Sequence, residues 1–142
     1  MTASVQASAG LTPRVTHGVV AGIAGGVVFG ALMAMMGMLP MIAMLVGSSS
    51  ALVGALVHLV ISTGLGVLFA VSVPALRTGA TLGAGAAYGA LWWVLGPLLI
   101  MPAWMGMPLF SVDTMATRSL IGHVVYGLVT AAALLVLRRR RA

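Results

Sequence analysis

Four long apolar stretches, separated by short polar breaks, dominate the hydrophobic pattern of the chain. They run about 17–39, 50–73, 81–101 and 117–137. Each comes close to the ~20 residues an α-helix needs to cross a ~30 Å hydrocarbon core. Inside lipid the backbone has no water to bond to, so such stretches must become helices. The pattern predicts an all-α membrane protein with four transmembrane helices in a single bundle spanning about 17–137. Residues 1–16 read as a polar N-terminal tail and 138–142 as an Arg-rich C-terminal tail. The first apolar stretch is longer than a signal-peptide core, which predicts an uncleaved first helix.

The polar breaks carry a second pattern. In each half a Gly-rich helix leads to a Met/Pro segment, a polar stop and a helix bearing one histidine. The stops are GSSS (Gly47–Ser50) and the stretch Ser111–Thr114. FGALM (Phe29–Met33) is echoed by YGALW (Tyr88–Trp92), and VHLVISTGLG (Val57–Gly66) by GHVVYGLVTA (Gly122–Ala131). The chain therefore reads as a tandem repeat of two helix pairs, related by a pseudo-twofold axis along the membrane normal.

Small residues recur every four positions: Gly18, Gly22, Gly26, Gly30 and Ala34 in the first helix, then Gly54, His58, Ser62 and Gly66 in the second. The fourth helix has Ser119, His123, Gly127 and Ala131, and Gly85, Gly89 and Gly96 line one side of the third around Trp92. Such rows let helix backbones approach in the absence of a hydrophobic driving force. Both histidines thus lie on faces that meet a neighbouring helix.

Charge adds orientation. Only 6% of residues are charged, and all seven basic residues are Arg. Soluble domains carry roughly 25% charged residues. Arg14, Arg77 and Arg138 to Arg141 fall at one end of the four spans, and only Arg118 at the other. The positive-inside rule then places both termini in the cytoplasm. The terminal Arg run reads as a topology anchor that meets anionic headgroups, not as a nucleic-acid footprint. The all-Arg usage, with abundant Ala, Gly and Val, suggests a GC-rich bacterial gene and so a multi-pass protein of the bacterial inner membrane. The absence of Cys excludes disulfides and thiolate sites.

The candidate chemistry lies toward the outer side. Ten of eleven methionines fall in Met33–Met44 and Met101–Met115. Imidazole and thioether ligands together suit Cu(I), which gives a candidate site of His58 and His123 with one or more of Met36, Met38, Met41, Met101 and Met105. Two histidines at one depth on facing helices also suit haem b with two axial imidazoles. Against these stand plainer readings. Methionine is a common filler of apolar gaps, and a run of six on one helix must point several at lipid. A membrane histidine bonded to Ser62 or Ser119 needs no function, since interhelical polar bonds average ~0.6 kcal/mol. Even so, an ionisable group inside a span is a functional candidate by default.

Catalysis is not expected. Ser62 and Ser119 stand four residues from a histidine on the same helix, a spacing that favours a local hydrogen bond. Asp113, the only acid, reads as the N-cap of the fourth helix or a partner of Arg118. Trp92 and Trp93 are expected to line the bundle. Trp104, Tyr88 and Tyr126 read as interface anchors. Pro40, Pro97 and Pro102 are expected to end or kink their helices, leaving 41–46 and 103–110 as short segments at the outer interface.

The run GALMAMMGMLPMIAMLVG, with HLVISTGLGVLFA, YGALWW and GHVVYG, resembles a group of small bacterial four-span membrane proteins of unknown function. The resemblance covers Gly18–Leu137 and implies the architecture, with no activity or cofactor attached. Two functions follow: an outer-side His/Met site for copper or haem, or an accessory subunit whose Gly rows pack within a homo-oligomer or a larger membrane complex.

Overall fold

The computed structural model describes residues 2–140, with side chains from 10 to 140. Its helices are α1 (Thr2–Met35), α2 (Leu39–Ala43), α3 (Ala51–Ser72), α4 (Thr78–Leu95), α5 (Met101–Met105) and α6 (Thr114–Arg139). A 3-10 turn, Met44–Val46, follows α2, and a π-helical turn, Gly96–Ile100, joins α4 to α5. Four stretches are long and apolar enough to cross a membrane: Gly10–Met35, Ala51–Ser72, Thr78–Met105 and Thr114–Arg139. The described residues form no strand, and the four long apolar helices are those of a multi-pass membrane protein by length and composition.

The closest packings are α1 on α3, α4 on α6 and α1 on α6. The bundle is therefore ordered α3, α1, α6, α4, with α1 and α6 in the middle. Glycine rows form the two tightest seams. A β-carbon on Gly66 would strike the backbone of Gly22, and one on Gly127 would strike that of Gly85. Close approach of this kind supplies van der Waals contact that lipid cannot replace. On the outward faces, Leu52, Val60, Ile121 and Val136 are exposed, as expected of side chains that meet lipid.

Helix ends explain where the sequence reading shifts. α1 stops at Met35, ahead of Pro40, because Gly37 takes a left-handed φ of +67°. The amide of Met38 then bonds the carbonyl of Met33 at 2.9 Å, and that of Gly37 bonds Ala34 at 3.2 Å, closing the helix with a Schellman motif. Pro40 instead opens α2, where its missing N–H costs nothing. Residues 2–16, expected as a tail, continue α1 backwards with Pro13 inside the helix. Arg141 and Ala142, in the expected C-terminal tail, lie outside the described residues.

Pro97 and Pro102 do not end the third span. Pro97 is absorbed by the π turn, the usual way a helix accommodates a local misfit. Pro102 offers no N–H to the carbonyl of Leu98, and the amide of Phe110 fills that vacancy at 2.8 Å. To do so Phe110 adopts φ +54°. Asp113 caps α6, its Oδ1 accepting from the Ala116 amide at 2.7 Å, as expected. At the other end of α6, Arg138 donates to the carbonyls of Ala70, Val73 and Pro74 and so closes the last turn of α3.

Candidate histidine and methionine cleft

Between the first half of α3 and the last half of α4 a cleft of about 470 Å³ opens. Its floor is aromatic. Tyr126 of α6 donates to the Ser62 carbonyl of α3 at 2.6 Å, and one level deeper Tyr88 of α4 donates to the Leu65 carbonyl at 2.7 Å. Both tyrosines are thus interhelical ties, not interface anchors: Tyr126 is 3% exposed. Each hydroxyl thereby finds the partner that a buried tyrosine needs. Trp93 ties α4 to α6 through the Ala116 carbonyl at 2.8 Å, whereas Trp104 is exposed as an anchor should be.

Both candidate histidines line the cleft. His58 sits about 10 Å from the start of α3 and His123 about 14 Å from that of α6, at ~1.5 Å per residue. They nevertheless share a level, because the ring of Phe29 touches both, with centroid separations of 5.2 and 4.8 Å. Phe29 reaches α6 over Gly122, where any β-carbon would collide with its ring.

The hydrogen bonds fix the tautomers. His58 Nε2 lies 3.0 Å from the Gly26 carbonyl of α1, and His123 Nδ1 lies 2.8 Å from the Ser119 carbonyl of its own helix. A carbonyl only accepts, so His58 carries its proton on Nε2 and His123 on Nδ1. The hydroxyls of Ser62 and Ser119 stand 3.3 Å from the same two nitrogens. Ser62 gives its own proton to the His58 carbonyl at 2.7 Å. The remaining nitrogens, His58 Nδ1 and His123 Nε2, keep a lone pair and have no hydrogen-bond partner among the described residues.

Of the candidate thioethers, Met38, Met41 and Met101 line the cleft with the histidines. Met36 packs on the core cluster that contains Phe29, Met33 and Met38, but neither it nor Met105 lines the cleft. Met33, Met107 and Met115 line it although the sequence did not single them out, as do Phe29, Tyr126 and the expected Trp92. The indole N–H of Trp92 is buried and makes no hydrogen bond of acceptable geometry. Met35 is 78% exposed, so part of the run does face outward. Among the described residues no cluster of three or more His, Cys, Asp or Glu side chains forms a metal site. No known protein family, curated protein or solved structure matches the chain.

Proposed function

We propose that the protein is a small binding protein of the bacterial inner membrane that holds Cu(I) in the outer half of its bundle, through His58 and His123 with Met38, Met41 and Met101. One observation carries the reading. Two imidazoles line one cleft together with Met38, Met41 and Met101, which come from separate segments of the chain, and each imidazole keeps a lone pair for a ligand. Soft ligands of this kind select Cu(I). The carbonyl bonds of Gly26 and Ser119 play the part that outer-shell acceptors play for metal-binding histidines: they fix the tautomer and hold the ring. Haem b, which two imidazoles alone could hold, would leave the thioethers of the cleft without a role; with either metal Phe29, which touches both imidazoles, would have to swing aside for one ion to take both.

The outer position follows from a bundle with both termini in the cytoplasm, which the Arg distribution supports. A tandem repeat accounts for the matched ligands. Gly26 and Gly30 meet Ser62 and His58 as Gly85 and Gly89 meet Gly127 and His123. Phe29 and Tyr88, at matching positions, each reach across to the other helix pair.

A second reading rests on the bond from His58 to Gly26, which ties α3 to α1. In that reading the histidines only hold helices together, in an accessory subunit. Elemental mass spectrometry of protein purified gently from its native membrane separates the two. Near-stoichiometric copper, lost in the His58→Ala/His123→Ala double variant, supports the binding protein. Protein that stays metal-free after Cu(I) is offered supports the accessory subunit.

A further inference from the structure

A second pocket, of about 250 Å³, lies at the opposite end of the bundle and is lined by Pro13, Arg14, His17, Ala75 and Arg138. It brings together the first span, the α3–α4 connection and the end of α6. Arg77, Arg139 and Arg140 lie at the same end. The one acidic residue of the sequence, Asp113, caps the far end of α6. That puts about 37 Å of helix between Asp113 and Arg138, at ~1.5 Å per residue. No side-chain carboxylate of the described residues can therefore balance this charge.

Arg138 is held in place. Its Nη1 and Nη2 donate to the Pro74, Ala70 and Val73 carbonyls at 2.9 to 3.2 Å, which leaves part of its five-donor fork unused. Its charge also offsets the carbonyl end of α3, which would otherwise disfavour an anion. The side chain of Arg14 is exposed and makes no hydrogen bond or ion pair among the described residues. Two guanidinium groups lining one pocket, with no side-chain carboxylate of the described residues beside them, repel each other, and an anion bridging them relieves that repulsion. Planar guanidinium forks match the oxygens of phosphate, singly or in pairs. Basic pockets between helices at the cytoplasmic face bind phospholipid headgroups in this way.

We infer that the Arg14–Arg138 pocket is a phosphate-binding site, filled by an anionic phospholipid headgroup or by free phosphate. The inference is independent of the copper reading, since it shares no residue with the cleft. The test is thermal unfolding of the full chain in neutral detergent, alone and with phosphatidylglycerol, phosphatidylcholine or inorganic phosphate. A ligand that binds only the folded state raises the midpoint, here by about 3 °C or more. A rise with phosphatidylglycerol alone identifies a lipid headgroup, and a rise with inorganic phosphate as well identifies free phosphate. Arg14→Gln should lose the rise, Arg14→Lys should keep part of it, and Arg140→Gln, outside the pocket, should keep it. No rise with any phosphate ligand, or equal loss in Arg14→Gln and Arg140→Gln, would overturn the site in favour of a diffuse basic surface.

Discussion

His58 of α3 donates its Nε2 proton to the carbonyl of Gly26 on α1 across 3.0 Å. That bond connects neighbouring helices and at the same time decides which ring nitrogen faces the cleft. His123 is held the other way round, by its Nδ1. The two histidines should therefore be opposite neutral tautomers. Nitrogen NMR of protein labelled at the imidazole rings checks this directly. Proton attachment at Nε2 of His58 and at Nδ1 of His123 is expected. Matching tautomers would mean that at least one carbonyl bond is absent.

The glycine seams should be intolerant of a single methyl group. Gly66→Ala and Gly127→Ala each press a β-carbon into facing backbone, which cannot yield as a side-chain tip does. Overpacking of this kind costs about 1–3 kcal/mol. Gly64→Ala and Gly83→Ala open into free space and should change stability by no more than about 1 kcal/mol, in the stabilising direction set by helix propensity. Denaturant unfolding in mixed micelles reads all four.

Phe110 adopts its left-handed backbone to serve a carbonyl that Pro102 leaves unpaired. Pro102→Ala restores an amide donor for Leu98 within the helix. The Phe110 amide should then lose its protection, which hydrogen exchange resolved by mass spectrometry would show as faster labelling of the 106–113 loop. Unchanged labelling would show that the bond to Leu98 is not what orders this loop.

Much of this arrangement was legible in the sequence, and the misses have physical causes. The spans and the Asp113 cap were readable because apolar length and a lone acid at a helix start leave few options. His58 and His123 stood out as ionisable groups inside spans. Phe29, which brings them to one level, carries no contrast within an apolar helix. Tyr88 and Tyr126 were misread because residue type suggests an interface, while their hydroxyls satisfy buried carbonyls. Pro40 drew attention as a stop, yet Gly37 had already closed α1. Pro97 and Pro102 looked like breaks, but the π turn and a distant amide compensate for their missing donors. Met36 and Met105 were indistinguishable by type from the methionines that line the cleft.

X-ray absorption spectroscopy of the copper-loaded full chain tests the central claim most directly. The expected first shell contains two nitrogens and at least one sulfur, with the nitrogens lost and copper retention falling in His58→Ala/His123→Ala. A shell without imidazole nitrogen, or copper retention that the double variant leaves unchanged, would contradict the site. The two histidines would then stand as ties between helices.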